Sequence, residues 1–600
     1  MIIIIARTFI SSILFLVISS SAIYQSPVGA MTFLVSMEQP STHYYHVILR
    51  CEGVQSESLD FKLPSWTPGY YWIMNFAKNV VNFNVNSERG NLLAWVKTNK
   101  NTWHVKSGKE KNIIVTYDVY AFTQSVADPF LDGSRGYISP AAIFMHIAGQ
   151  LKHPVSVTIQ PPKIFSRIST GLDTVVGKTN TFFASDFDVL YDCPIYLGNQ
   201  EVLSFEVRGI THYLAFENPK SFDTQKLAAD LKKIVEVAVS VIGNIPYRHY
   251  TFIIMGPGQG GLEHRNSTAV FSGSQFTGNN PTAYKNWLAF LTHEYFHLYN
   301  IKSIRPIALG PFDYDRENYT NMLWVSEGIT VYYEYVILNR AGIMNREECF
   351  QQLSKNIMNY ENIPGHLFQS ATQSSFDTWI QFFSRGDNAS NTTISYYDKG
   401  CILGMLMDLK IRHQTLNKKS LDDVMRKLYR EFYIVKKRGF TDKEFQEVCD
   451  NIAGINLEEL FSYASTVTLI DYPKYLSYAG LDIDTTSKEL SGAYLGASVQ
   501  QRGENLVVIG IVWNSPAWYS GLSSQDEILE LNGSHASAKA WDELLNSKQA
   551  GQKIMIAYSS RNIKKETEIV LTKKIEKTFH ISNLPNPGPL QLQILNDWLK

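Results

Sequence analysis

Two histidines four residues apart, with a glutamate directly after the first, are the side chains of this sequence best placed to do chemistry: His293, Glu294 and His297 in the run LTHEYFHLYN. On a helix, positions i and i+4 share a face, so both imidazoles can converge on one divalent metal ion. Glu294 is then aimed at a water on that metal and can serve as its general base. The apolar neighbours Trp287, Leu288, Phe290, Leu291, Phe296 and Leu298 read as a buried helix around the pair. This spacing points to metal-assisted hydrolysis of the zinc-peptidase kind, with one Zn2+ per chain.

A metal held by two histidines needs a third protein ligand and an open position for water. Glu327 is the natural candidate, 30 residues beyond His297 on a second apolar helix, LWVSEGITVYYEYVILNR. An acid flanked by Trp324, Val325, Ile329 and Val331 would otherwise be costly to bury. Glu334 and His264 are the alternative ligands, and Glu334 has a second possible role, accepting the free N–H of a ligating histidine and orienting its ring. In GPGQGGLEHRNS, residues 256–267, glycines 258, 260 and 261 let the backbone turn sharply or pass close to a ligand, and Glu263 follows at once. Further on, Tyr396 and Tyr397 open a buried helix over 395–412, where a phenol can reach a neighbouring oxyanion, although core packing is the plainer reading of the pattern.

The elements that must position these groups follow from composition and periodicity. Six hundred residues exceed a single core and divide into several domains. Basic and acidic residues number 55 and 56, so charge gives no reason to expect nucleic acid or an anionic membrane as partner. Arg7, an apolar run from Phe9 to Ile18 and small residues after it read as a secretory signal within 1–30, with an uncleaved anchor as the alternative. An exported protein, periplasmic or secreted, is expected. Five scattered cysteines form neither a disulfide framework nor a metal site.

From 31 to 205, short alternating strands predict an N-terminal β-sandwich: Tyr45, Val47 and Leu49 oppose His46, Arg50 and Glu52. Within it the aromatic stretch LPSWTPGYYW, with Pro64, Pro68 and Gly69, is a loop packed on something. From 206 to 480 helical periodicity dominates, with a helix over 224–242 and a strand over 250–255. From 486 to 575 lies a compact α/β unit, and the 576–600 tail ends in an amphipathic segment that docks on the protein itself.

Five motifs in order, LPSWTPGYY, GGLEHRNS, HEYFHLYNIKSIRP, LWVSEGITVYY and YYDKG, resemble the PDZ-containing glycyl aminopeptidase family of zinc peptidases, gluzincins distantly related to aminopeptidase N and leukotriene A4 hydrolase. The resemblance implies a multidomain α+β fold: N-terminal β-sandwich, thermolysin-like mainly α catalytic domain, and a C-terminal PDZ domain carrying Ser515-Pro516-Ala517 and Asn532-Gly533. It implies zinc on His293, His297 and Glu327, with Glu294 as base and acid. It further implies Glu263, beside Gly260 and Gly261, on the substrate's α-amino group, and Tyr397 on the oxyanion, with Tyr396 the competing tyrosine. The expected partners are a peptide with a free, small N-terminal residue and a peptide C-terminus at the PDZ unit. Endopeptidase action and a peptide-binding scaffold are the competing expectations.

Overall fold

The computed structural model describes residues 28–217, 223–272 and 280–599. Of the expected signal segment, 1–30, residues 1–27 lie outside them, whereas Val28 is buried and Ala30 begins the strand Ala30–Ser36, so the expected boundary at 30 falls inside the folded unit. Among the described residues no helix is long and apolar enough to cross a membrane, and all five cysteines are free and buried.

Period-two burial builds the first unit. Strand Tyr44–Glu52 buries Tyr45, Val47, Leu49 and Cys51 and turns His46, Arg50 and Glu52 to solvent. Its neighbour Asn112–Tyr120 buries Ile113, Val115, Tyr117 and Val119 in antiparallel register, with Leu49 opposite Val115. Both lie in a seven-stranded sheet accompanied by two four-stranded sheets. Phe83 of the large sheet stacks on Trp103 of the strand Thr102–Val105 with centroids 5.4 Å apart, so those two sheets share one core.

The next sheet begins earlier than the residue pattern suggests. Strand Glu201–Val207 pairs antiparallel with Ile210–Phe216, so the expected boundary at 205 falls inside a strand of the second unit. The alternation there is blunted because Glu201–Val207 buries only Val207. The five-stranded sheet continues through His249–Met255 and Ser267–Phe271 to an edge strand, Gly261–Glu263. Helices Thr224–Ile242, Pro281–Phe296, Ile329–Arg340, Arg346–Glu361 and Tyr396–Gln414 belong to the same unit and share one large core. The helix Pro281–Phe296 is started by Asn280, whose Oδ1 accepts from the Thr282 and Ala283 amides, with Pro281 in the first turn.

The C-terminal unit is a sheet of strands Ala497–Arg502, Asn505–Ile511, Glu527–Leu531, Lys553–Ser560 and Ile563–Val570 with the helix Ala538–Ser547. Two asparagines of the helical unit grip its backbone. Asn362 donates through Nδ2 to Lys577 O (2.9 Å) and accepts at Oδ1 from Lys577 N (3.1 Å). Asn391 donates to Ile511 O (2.7 Å) and accepts from Trp513 N (2.8 Å).

The tail then returns to the helical unit. Strand His580–Asn583 pairs with Leu481–Asp484, and the helix Pro589–Trp598 buries Ile594, Leu595 and Trp598. Trp598 is fully buried and its Nε1 donates to the Tyr332 hydroxyl (2.8 Å). Replacing it with Ala should cost about 3–5 kcal/mol of stability, read as a shifted denaturation midpoint. A loss below about 1 kcal/mol would show that the tail is not part of the core.

Candidate active site

His293 and His297 occupy the last turn of Pro281–Phe296 and its C-cap, and both are buried. Their Nε2 atoms lie 2.9 Å apart. Glu327 Oε2 closes the triangle, 3.4 Å from His293 Nε2 and 3.1 Å from His297 Nε2. Ligands at about 2.0–2.1 Å from a tetrahedral ion stand roughly 3.3 Å apart, close to these three separations. The outer ring nitrogens are already committed: His293 Nδ1 donates to Glu334 Oε2 (3.1 Å) and His297 Nδ1 to the Asn300 carbonyl (2.9 Å). Both Nε2 lone pairs therefore face each other and Glu327, an arrangement that a divalent cation satisfies. Among the described residues this is the cluster whose donor atoms converge closely enough to hold a metal.

Electrostatics within the cluster are those of tightly paired groups. Burial opposes charge on both rings and on Glu327, yet the pairing wins: the histidines are held above their ordinary range and Glu327 well below its own. Burial pushes the Glu294 carboxyl up to about 7, the two imidazoles opposing and the Glu263 and Glu327 carboxylates reinforcing. Glu294 Oε2 has no hydrogen-bond partner among the described residues.

Glu327 sits in a π-helical turn, Trp324–Gly328, that runs into Ile329–Arg340. Such turns free backbone carbonyls from the regular ladder and recur at functional sites. Asn300 collects them: its Nδ2 donates to Val325 O (2.8 Å), Ser326 O (3.1 Å) and Thr330 Oγ1 (3.0 Å). Because the Asn300 carbonyl also receives His297 Nδ1, one residue positions two members of the cluster. We expect Asn300→Ala to weaken metal affinity about 10–100-fold, measured by competition with a chromophoric chelator. Unchanged affinity would mean that the π turn holds Glu327 without it.

A close helix crossing sets the tyrosines. A Cβ on Gly328 would strike Gly400 Cα, and one on Gly400 would strike the Trp324 carbonyl oxygen, so only glycine fits at either position. The helix Tyr396–Gln414 is thereby pressed against Glu327. The Tyr397 ring lies 6.1 Å from the His293 ring, whereas the Tyr396 hydroxyl is bonded to Thr378 Oγ1 (3.0 Å). Gly400→Ala should lower stability by about 1–3 kcal/mol and activity with it, seen as parallel losses in thermal midpoint and kcat. A variant of native stability and turnover would contradict the tight crossing.

Glu263 lies on the edge strand beside the helix that carries Glu294. Gly261, two residues before it, is so close that a Cβ there would stand 2.7 Å from Glu294 Oε1, whereas Gly260 faces open space at φ +99°. His264, with its Nδ1 on Asp192 Oδ1 (3.2 Å), is not among the side chains whose donor atoms converge, so it is not placed as a metal ligand. Lys302 Nζ also reaches Asp192 Oδ1 (2.9 Å), and more loosely Glu263 Oε1 (3.5 Å). At that distance Glu263 Oε1 is left without a well-formed hydrogen bond among the described residues.

The N-terminal unit completes this corner. Gly69, at φ +92°, passes so near that a Cβ would stand 2.5 Å from Glu263 Oε1. Tyr71 is buried, and after burial the negative fields of Glu327 and Glu263 raise its pKa further. Trp66 anchors the loop, donating Nε1–H to Asp313 O (2.9 Å) and packing on Phe312 and Trp379. Gly69, Tyr71, Asn300 and Lys302 lie within the ordered motifs but were given no individual role from sequence, and Asp192 carried no signal at all. The nearest hint was Pro68-Gly69 inside an aromatic stretch.

Comparison with known proteins places this arrangement. A model of the peptidase M61 N-terminal domain matches residues 32–199, and one of M61 glycyl aminopeptidase matches residues 286–403. No curated protein matches. Among solved structures, an aminopeptidase N family protein from Idiomarina loihiensis is 27% identical with TM-score 0.87, over 95% of this chain and all of that one. An M1 zinc metallopeptidase from Deinococcus radiodurans is 12% identical with TM-score 0.47, over 74% of this chain and 95% of that one. Yeast leukotriene A4 hydrolase is 14% identical with TM-score 0.46, over 75% of this chain and 67% of that one. With the two matched regions supplying the β-rich unit and the helices of the His-His-Glu cluster, this chain is a metallo-aminopeptidase whose sequence matches the M61 N-terminal and M61 glycyl aminopeptidase domains in these two regions.

Proposed function

We propose that the protein is an exported zinc aminopeptidase that removes small N-terminal residues, Gly or Ala, from peptides, with one ion on His293, His297 and Glu327. A divalent ion there would supply Lewis acidity to a water molecule and to the scissile carbonyl. Glu294 takes the proton from that water and returns it to the leaving amine, and its buried, unpartnered oxygen suits that exchange. Tyr397 donates its phenolic O–H to the developing oxyanion. Glu334 fixes the His293 ring by holding its Nδ1–H. The edge strand Gly261–Glu263 offers free backbone groups to an extended peptide.

The observation that carries the aminopeptidase reading is the charge count around Glu263. Two carboxylates, Glu263 and Asp192, share the Lys302 ammonium, which sits closer to Asp192, itself also bonded to His264, so Glu263 is left with one loose cationic contact and an oxygen without a well-formed hydrogen bond. A substrate α-ammonium completes the set. Gly69 and Tyr71 crowd the same corner, which favours a first residue with little or no side chain. The test is one peptide series with Gly, Ala, Leu and Phe at the N-terminus, each free and acetylated. Free Gly and Ala peptides should be cleaved fastest and acetylated ones by at least about 100-fold less. Equal cleavage of both forms favours an endopeptidase.

For the C-terminal unit we propose a PDZ-type role. Its strand Ala497–Arg502 is a sheet edge, and the helix Ala538–Ser547 lies beside it, with Ala538 N donating to Gln501 Oε1 (3.0 Å). A strand edge flanked by a helix suits an added peptide strand.

A further inference from the structure

Lys302 lines a second cavity, of about 380 Å³, that the reaction does not use. Five of its lining side chains are cations, Arg265, Lys302, Arg305, Lys437 and Arg438, and none is acidic. Two of these are neutralised: Lys302 by Asp192, and Arg438 by a forked pair of bonds to Glu444. Among the described residues, the side chains of Arg265, Arg305 and Lys437 have no carboxylate partner. Arg305 is largely buried, its guanidinium lying against Gly310 and 5.9 Å from the centroid of the Phe312 ring. Burial pulls Arg305 below its ordinary range, and the nearby Asp188 and Asp192 charges do not restore it.

The cations are held in place by the fold. The Arg305–Ile307 backbone is bonded to Phe440: Phe440 N donates to Arg305 O (2.9 Å) and Ile307 N to Phe440 O (2.8 Å). This fixes Arg305 against the segment that bears Lys437 and Arg438. Gly310 keeps room for the guanidinium, which any Cβ there would strike. The far wall comes from a second π-helical stretch, Tyr429–Lys436, ended by Lys437 at φ 50°.

We propose that this cavity binds a compact divalent oxyanion, inorganic or dicarboxylate. Through Lys302 it tunes how firmly Glu263 holds a substrate's amino terminus, a coupling that rests on the amine-anchoring reading of Glu263. An anion in the cavity competes for the Lys302 ammonium and leaves Glu263 freer to take the substrate's own. Calorimetric titration of the metal-loaded full chain with sulfate, and separately with succinate, tests the site without requiring turnover. At least one should bind saturably, and the tighter one names the source. Arg305→Gln should weaken that binding about tenfold, as should the exposed pair Arg265→Gln with Lys437→Gln should the first variant not fold. No saturable heat, or unaltered binding in the variants, overturns the site. The bound anion should also lower KM for a free-amine peptide at unchanged kcat. An unmoved KM overturns the coupling, while equal cleavage of acetylated peptides instead removes the amine-anchoring reading and leaves the calorimetric result standing.

Discussion

Glu294→Gln is expected to lower kcat about 10²–10⁴-fold while the purified protein retains its metal. The amide has nearly the carboxylate's shape and so keeps the packing, but it cannot accept a proton at this step. Glu294 is buried, unpaired at Oε2 and separate from the three converging ligand atoms, so the substitution leaves the cluster intact. Burial also sets its carboxyl up to about 7, near the range where a group both takes and returns a proton readily. The check is a paired measurement, kcat on a Gly-peptide and metal content per chain. Substantial residual turnover with full metal would remove Glu294 from the role of base.

Glu327→Gln should instead lose the metal itself, weakening affinity by more than about 100-fold, because a ligand is removed rather than a residue that merely supports one. The carboxylate Oε2 stands 3.1 and 3.4 Å from the two imidazole nitrogens and is held ionised by them. A neutral amide there is a far poorer partner for a divalent ion. Dialysis against chelator should strip wild-type protein slowly and this variant at once, with activity following metal content in both. A variant that keeps its metal would point to another third ligand, and His264, which lies outside the converging cluster, is not placed to be one.

Much of this centre was legible because it depends on short-range spacing. His293, Glu294 and His297 announce one face of one helix, and Glu327 was found as an acid stranded in an apolar stretch. The strand alternation at Tyr44–Glu52 and the helix Thr224–Ile242 were equally readable, since local periodicity decides both. What stayed hidden comes from across the chain. The π turn around Glu327 exists with the Asn300 amide gathering its released carbonyls. Gly69 and Tyr71 reach the site from the N-terminal unit, and no spacing rule connects them to Glu263. The strand Glu201–Val207 escaped because its burial is carried by its last residue rather than by alternation.

The two asparagine grips have a consequence for how this protein can change over generations. Asn362 and Asn391 bond to main-chain N–H and C=O groups at Ile511, Trp513 and Lys577, not to the side chains those residues display. Attachment of the C-terminal unit at these two points is thus indifferent to what its strands spell. The side chains on its surface are free to drift without loosening the mount. Asn391 is 2% exposed with its amide spent on this latch, so the N-x-T tripeptide it begins offers no sugar-acceptor nitrogen in the folded protein.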